Sequence, residues 1–318
     1  MRNERPLERK YSMSYKIVSD SSCNYLSTSD EHFATVPMHV MVGSHDWVDS
    51  AETDVDKLNE ILFTTTEKTS SACPAPGEWL AAFKDAETIF CLTITHTLSG
   101  SYNSAMTAKD MYEEAHPDRH VYVIDSLATG PRMIFMIRRL EKLLSEGTDP
   151  DTVYHQVLEY RGYTDLIFSL ESVKNFVGNG RMSGLLAKTI GILGMRFTGT
   201  ASAEGKLQVL GKTRGPAKTL NFILKEMISR GYEGGPVIIA HVNNPDAAAS
   251  LASLISDKFG NAELIETQKT TCLCSYYAEK GGLLIGYERV PDEETITFTE
   301  KFMEKVKSLK LKPSSLRK

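Results

Sequence analysis

The sequence has few cysteines, and their spacing excludes two kinds of small cross-linked domain. Five cysteines are scattered over 318 residues. An odd count without paired Cys-x-x-Cys units gives neither a disulfide framework nor a structural zinc site. Cys272 and Cys274 alternate along a predicted strand, where we expect them to be inert. This use of cysteine fits a reducing cytoplasm, which is the predicted location.

Long apolar runs are also absent from the sequence. No segment reaches the ~18 consecutive apolar residues that a membrane-spanning helix needs. The opening stretch from Met1 to Ser14 is polar and charged. We therefore expect neither a signal peptide nor an integral membrane segment.

Neither sign of charge dominates, and the common cofactor motifs are missing. The 36 basic and 41 acidic residues are interspersed and give a formal net charge of -5, which does not predict binding to nucleic acid. No Gly-x-Gly-x-x-Gly follows a predicted strand, and Gly211-Lys212-Thr213 lacks the upstream glycine of a phosphate-binding loop. An Asp-rich calcium loop is absent as well. We predict no cofactor and no metal.

Strand-like and helix-like segments alternate along the first half of the chain. The strand-like runs are 15–19, 34–42, 88–95, 120–125 and 164–170. The segments with apolar residues at helical spacing are 55–63, 77–84, 101–114, 131–145 and 150–160. Residues 64–76 indicate a loop. This alternation predicts a mostly parallel sheet with helices on both faces.

The second half of the chain has a different order of elements. The runs 195–203 and 206–212 flank Glu204-Gly205 and predict an antiparallel hairpin. Further helices are predicted at 216–230 and 245–259, and further strands at 236–241, 262–266 and 283–287. The length suits two α/β lobes, each with its own core.

The predicted fold class is therefore α/β, with an N-terminal mostly parallel lobe and a C-terminal mixed lobe. We place the boundary near residue 170. The predicted divisions are a flexible tail at 1–14, lobes at 15–170 and 171–290, and a terminal helix (Phe298 to Leu309) with a basic tail within 291–318.

Two hydroxyl-rich loops are the candidate binding elements. Ser99-Gly100-Ser101 stands between a predicted strand and an amphipathic helix, where free backbone N–H groups and the positive helix end stabilise an anion. Thr69-Ser70 lies in a second hydroxyl cluster, before another helix. The alternative is that these hydroxyls cap helices or turns without any ligand.

Four separated stretches make the chain resemble the DegV family of fatty-acid-binding proteins. They are Asp20-Ser21-Ser22; Thr69-Ser70 with Pro74, near the family's Thr-Ser-Gln-Pro-Ser; Leu98 to Ala105, near Leu-Ser-Gly-Thr-Tyr-x-Ser-Ala; and Gly180 to Ser183, near Gly-Arg-Ile-Ser. Together they span most of the chain. The family includes the carrier subunits of bacterial fatty acid kinase.

The resemblance implies a carrier and not an enzyme. It implies that Thr69 and Ser99, with Ser70, Gly100 and Ser101 beside them, bind the carboxylate of a long-chain fatty acid, and that a kinase is the protein partner. Neutral donors suit this task because they leave an oxygen for phosphorylation. The acyl chain would lie in an apolar tunnel, for which periodicity offers candidates that fit plain core equally well: Leu185, Leu186, Ile190, Ile192, Leu193 and Phe197.

The chain departs from the family pattern near the final strands. Tyr277 stands where the family has a histidine close to the carboxylate, and a tyrosine donates a neutral hydrogen bond instead of a positive charge. The resemblance suggests that Arg181 contacts a transferred phosphate or the partner, and Arg214 lies in a small basic cluster of the same ambiguous kind. Both arginines could instead be solvated.

An enzymatic alternative remains open from the residues alone. Ser99 could act as the nucleophile of a hydrolase, with His96 or His241 as the base. The Gly-x-Ser-x-Gly elbow of many hydrolases is absent, because Thr97 stands where the leading glycine would be.

Overall fold

The structure is a computed structural model that describes residues 14–26, 31–84, 86–182, 194–293, 295–297, 300, 301 and 304. It confirms the predicted α/β class, with a parallel N-terminal sheet and a mixed C-terminal sheet. The tunnel candidates from Leu185 to Leu193 lie outside the described residues, and so does most of the predicted terminal helix.

Four parallel strands form the N-terminal sheet, in the order β2-β1-β6-β7. They are β1 (Tyr15–Asp20), β2 (Phe33–Val36), β6 (Thr88–Thr93) and β7 (His120–Asp125). Helices cover both faces, as predicted. On one side lie α2 (Pro76–Phe83) and α3 (Ser101–Ala115), and on the other α4 (Pro131–Ser145) and α5 (Pro150–Tyr160).

A small antiparallel sheet, in the order β4-β3-β5, was not predicted. Its strands are β3 (His39–Val42), β4 (His45–Val48) and β5 (Thr69–Ala72). The predicted loop at 64–76 is therefore wrong over β5, and the predicted strand at 34–42 is split at Pro37. The polar run of β5 shows no apolar alternation, so it carried no strand signal. Helix α1 (Val55–Thr64) packs against β3 through Leu58 and Leu62.

Six strands form the C-terminal sheet, in the order β10-β9-β8-β13-β11-β12. They are β8 (Thr164–Leu170), β9 (Met195–Ala201), β10 (Leu207–Arg214), β11 (Val237–His241), β12 (Ile265–Lys269) and β13 (Leu283–Glu288). Strands β9 and β10 form the predicted hairpin. Because β8 pairs with β9 and β13, the change of sheet falls before Thr164 and not at residue 170. The division into domains stays a prediction.

The two faces of the six-stranded sheet have different neighbours. Helices α7 (Pro216–Ser229) and α8 (Pro245–Phe259) bury one face in a large apolar core. On the other face lie two shorter helices, α6 (Lys174–Gly178) and α9 (Cys272–Ala278). That second face is where a cavity forms.

The predicted strand through Cys272 and Cys274 is wrong, because these residues begin helix α9. The segment from Cys272 to Ala278 is short and almost wholly buried, and a short apolar run has no periodicity that separates a strand from a helix. All five cysteines are free. Burial raises the pKa of the Cys274 thiol well above its usual value, which agrees with the expected lack of reactivity.

Candidate functional site

An apolar cavity lies between helix α9, strands β8 and β13, and the loops that follow β6 and β7. The space within it, counted with its open mouth, is about 870 Å³. Its apolar walls come from Met38, Ile94, Leu98, Ala128, Leu166, Phe168, Leu170, Phe176, Leu207, Leu273, Ala278 and Leu284. Such walls favour a hydrocarbon ligand over a strongly hydrated one.

Polar side chains also line the cavity, and four of them form what we call the polar cluster: Ser71, Ser99, Arg181 and Tyr277. The Ser71 Oγ and the Tyr277 hydroxyl are 2.7 Å apart and share a hydrogen bond. The Arg181 Nε donates to the Leu98 carbonyl at 3.2 Å, which holds the guanidinium beside the Ser99 loop. The cluster therefore joins four separate segments of the chain at one place.

Tyr277 contributes a neutral hydroxyl to the polar cluster. Its ring packs against Phe176, with the ring centroids 4.7 Å apart. Burial raises the pKa of Tyr277 above its usual value, so the hydroxyl keeps its proton near neutral pH. Tyr277 can therefore donate a hydrogen bond to an anion, as the sequence suggested.

Arg181 contributes the positive charge of the cluster. Its Nη1 donates to the Asn179 carbonyl at 2.6 Å, and its other partner is the Leu98 carbonyl. Among the described residues it contacts no carboxylate, so none of these residues neutralises its charge. A guanidinium in this state attracts carboxylate or phosphate oxygens.

The structure places two of the predicted hydroxyls away from the cavity. The Thr69 Oγ1 accepts a hydrogen bond from the Tyr276 hydroxyl at 3.0 Å. The Ser101 side chain is fully buried, and its Oγ donates to Asp20 at 2.6 Å. Neither Thr69 nor Ser101 is among the described residues that line the cavity, and their direct contacts with a ligand stay predictions. The Ser101 backbone N–H donates to the Ser99 Oγ at 3.2 Å and so orients that side chain.

Ser70, Gly100 and Arg214 are also absent from the cavity wall. Gly100 is exposed at the start of α3, and Arg214 is exposed at the end of β10. Ser70 pairs with Met41 across the small sheet, whereas Ser71 pairs with the buried Val40. Because successive side chains of a strand point to opposite faces, Ser71 and not Ser70 faces the cavity.

The position of Pro74 in the sequence indicates Ser71 as a candidate ligand contact. In the family motif Thr-Ser-Gln-Pro-Ser the threonine stands three positions before the proline. Counted back from Pro74, that position is Ser71 and not Thr69. Proline has the most constrained backbone of all residues, so the motif is best aligned at Pro74. This alignment places the family's threonine at Ser71, which lines the cavity.

Asp20 is a buried carboxylate that positions the Ser99 loop. It accepts hydrogen bonds from the Ser22 hydroxyl, from the Ser101 Oγ at 2.6 Å and from the Ile94 backbone N–H at 2.9 Å. Burial raises the pKa of Asp20, and these bonds oppose that effect. The side chain therefore ties the end of β1 to the loop after β6 and to the start of α3.

Asp49 is a second buried carboxylate, and it positions helix α9, which carries Tyr277. Its carboxylate accepts from the backbone N–H groups of Cys272 at 2.8 Å and Leu273 at 3.2 Å, which open helix α9. The Ser21 Oγ donates to it at 2.8 Å. A carboxylate at a helix N-terminus is stabilising, here across more than two hundred residues of chain. Burial nevertheless raises the pKa of Asp49 to about 6.

This raised pKa predicts a pH-dependent stability. The ordinary value is 3.8, so the unfolded chain releases the Asp49 proton before the folded chain does. The contribution of Asp49 to the free energy of unfolding is complete below pH 3.8. It falls by about 3 kcal/mol as the pH rises to about 6. Urea unfolding of the wild type and of Asp49→Asn, which cannot titrate, should give a difference in unfolding free energy that shrinks over this range. A difference that stays constant with pH would show that burial does not shift the pKa of Asp49.

The geometry does not support a hydrolase. The His96 Nδ1 contacts the Asp125 Oδ2 at 2.5 Å, and the His241 Nδ1 accepts from the Asn244 backbone N–H. Neither imidazole is hydrogen-bonded to Ser99 in the described part of the chain, so the serine has no general base.

The described residues also give no metal site or membrane span. They contain no cluster of three His, Cys, Asp or Glu side chains able to hold a metal ion. His116 and His120 are four residues apart, but His116 follows the last residue of α3 and His120 begins β7, so they do not share a helix face. Within the same ranges, every helix is too short or too polar to cross a membrane.

Comparison with known proteins shows the family. The family model described as "Uncharacterised protein, DegV family" matches residues 14–289. The chain belongs to the DegV family. A DegV domain-containing protein of Streptococcus gordonii is 41% identical over 280 residues, which are 87% of this chain and 99% of the relative.

Two solved DegV-family structures resemble this chain over 87% of its length and all of theirs. One is the Streptococcus pneumoniae fatty acid kinase (Fak) B3 protein loaded with linoleic acid, which is 40% identical with a TM-score of 0.83. The other is a DegV family protein of Eubacterium eligens loaded with heptadecanoic acid, which is 35% identical with a TM-score of 0.83.

Proposed function

We propose that this DegV protein is a carrier that holds one long-chain fatty acid, with the acyl chain in the apolar cavity and the carboxylate on the polar cluster. The observation that carries the proposal is the cavity itself, because its apolar walls and its polar cluster match the two parts of a fatty acid. The fatty acids bound in two similar structures support the same ligand.

The carboxylate is held by neutral hydroxyls with one cation beside them. Ser99 donates to the carboxylate, Tyr277 donates to Ser71, and Ser71 donates its own proton to the carboxylate; the Arg181 guanidinium lies next to them because it is hydrogen-bonded to Leu98. Two single donors leave carboxylate lone pairs free, whereas a bidentate arginine clamp would occupy both oxygens. This arrangement suits a ligand whose carboxylate must still react.

The chemistry on the carboxylate belongs to a partner. The similarity to the Fak B3 protein supports a fatty acid kinase as that partner, with the chain presenting its bound acid and the kinase transferring a phosphate. Arg181 then has two tasks, since it faces the carboxylate before the transfer and the acyl phosphate after it.

Ser71→Ala tests the assignment of the head group. The variant removes one hydrogen bond to a charged group, which costs about 2 kcal/mol and on the order of 30-fold in Kd. Calorimetric titration of delipidated protein with a long-chain fatty acid measures this change. Ser70→Ala is the matched control, because its side chain does not line the cavity, and its Kd should equal that of the wild type. Equal losses in both variants would reject Ser71 as a ligand contact.

Arg181→Gln tests the link to phosphoryl transfer. We expect the variant to retain its fatty acid but to support acyl-phosphate formation on the order of ten-fold more slowly, because the dianionic phosphate gains more from a cation than the carboxylate does. The measurement is phosphate transfer from ATP by a fatty acid kinase catalytic subunit. An unchanged rate at saturating carrier would remove Arg181 from this step.

A further inference from the structure

A second, polar cavity lies beside the hairpin turn that joins β9 and β10. It encloses about 1120 Å³, counted with its open mouth. Four arginines from four different parts of the chain line it: Arg132, Arg161, Arg230 and Arg289. Ala201, in β9, lines both this cavity and the apolar one, so the hairpin separates the two. The fatty-acid function uses none of these arginines.

Positive charge in this second cavity exceeds the negative charge that faces it. Asp165 is the buried carboxylate of the wall, with its side chain 3% exposed, and it accepts from the Arg230 Nε at 2.8 Å. The Arg289 Nε is 4.0 Å from the same oxygen. Glu204 and Asp292 also line the cavity but are more than half exposed; Glu204 pairs with Lys206, and Asp292 lies 3.9 Å from the Arg289 Nη1. Arg132, Arg230 and Arg289 therefore share one buried carboxylate, Asp165, and Arg161 lies near Asp125.

One guanidinium donor points to a missing acceptor. The Arg289 side chain is 8% exposed, and its Nε is buried without a hydrogen-bond partner among the described residues. Arg230 donates through its Nε to Asp165, and its side chain is 23% exposed. A buried N–H without an acceptor costs free energy, and a bound anion would supply one.

The crowding of the arginines also affects their protonation. Burial lowers the pKa of Arg132, and the neighbouring charges of Arg289 and Arg230 lower it further, while Asp165 opposes them. Burial lowers the pKa of Arg161 to about 10. Both groups are still charged at neutral pH, so each is a cation held where water screens it poorly.

We propose that this arginine cavity binds a phosphate group, either as free phosphate or as the monoester of a small polar molecule. A phosphate dianion balances two of the excess charges, and its oxygens accept from several guanidiniums at once. A monocarboxylate would balance only one. The polar wall, which includes Ser202, Gln208 and Thr295, has hydrogen-bonding groups for a hydroxylated body and disfavours a hydrocarbon.

Calorimetric titration of the full chain at constant ionic strength tests the proposal, with inorganic phosphate and glucose 6-phosphate as probes and glucose as the uncharged control. We expect saturable one-site binding of at least one phosphate probe and none of glucose. Arg230→Lys, which keeps the charge but loses the planar donors, should weaken binding on the order of ten-fold or more. Arg289→Gln should do the same. The control is Arg138→Gln, which removes an exposed arginine paired with Glu266 outside the cavity.

The two phosphate probes distinguish the source of the group. Tighter binding of inorganic phosphate would identify free phosphate, and tighter binding of glucose 6-phosphate would identify a monoester. The proposal is overturned if neither probe binds saturably, or if Arg230→Lys, shown to be folded by circular dichroism, binds as tightly as Arg138→Gln. Fatty-acid content of the same variants should stay at the wild-type level, so a failure here leaves the carrier proposal untouched.

Discussion

Shortening the ligand from hexadecanoate to decanoate should weaken its binding by on the order of 3,000-fold. The change removes six methylenes, and each buried methylene contributes about 0.8 kcal/mol, giving about 5 kcal/mol in total. The carboxylate contacts are the same in both ligands, so the loss comes from the apolar walls alone. Calorimetric titration of delipidated protein with a series of saturated acids measures it.

The change in log Kd per methylene across this series shows where the acyl chain lies. If the acyl chain occupies the apolar cavity, log Kd should change steadily with each methylene until the cavity is filled. Equal affinities for the short and the long acid would mean that the chain lies in solvent and that the polar cluster alone binds. Ser71→Ala should move every point of the series by the same amount, because head group and tail contribute separately.

Asp20→Ala should lower the free energy of unfolding by about 4 kcal/mol. The substitution leaves two hydroxyls and one backbone N–H without their acceptor, in a place where Asp20 is fully buried. Buried donors that lose an acceptor cost about 1–3 kcal/mol each, and the absence of a buried charge returns part of this. Urea unfolding monitored by tryptophan fluorescence measures the change.

An exposed aspartate serves as the control for Asp20. Asp257 lies on the solvent face of α8, and Asp257→Ala should stay within about 0.5 kcal/mol of the wild type. A loss in Asp20→Ala no larger than that of the control would show that the three bonds to Asp20 do not organise the Ser99 loop.

The alternating part of the fold could be predicted from the sequence because its signals are local. Helices α4 and α5 begin at Pro131 and Pro150, where proline favours the first helical turn. The parallel strands β1, β6 and β7 are short runs, rich in apolar residues, with clear limits. The predicted hairpin at 195–212 has Gly205 at φ +77° in its turn, a conformation that favours glycine.

The parts that were missed depend on distant residues. Strand β5 forms because Thr69 to Ala72 pair with β3, and nothing in their own polar sequence requires a strand. Helix α9 begins at Cys272 because Asp49, far away along the chain, accepts its first N–H groups. Long-range contacts of this kind leave no periodic pattern in a single sequence.

The candidate site was predicted in part. Ser99, Arg181 and Tyr277 were named from the sequence and all line the cavity, but the neighbouring hydroxyl proved to be that of Ser71. Thr69 and Ser101 are close by in the chain and have structural partners instead. The type of residue could be read from the sequence, whereas the choice among adjacent hydroxyls required the direction of each side chain.

The most direct test of the carrier proposal is the lipid content of the purified full chain. Organic extraction and mass spectrometry should recover a long-chain fatty acid in stoichiometric amount from the wild type. Ser71→Ala/Ser99→Ala, purified identically, should retain far less, and Thr69→Ala/Ser70→Ala should retain the wild-type amount. Recovery of no fatty acid from the wild type, or of equal amounts from all three proteins, would contradict the account.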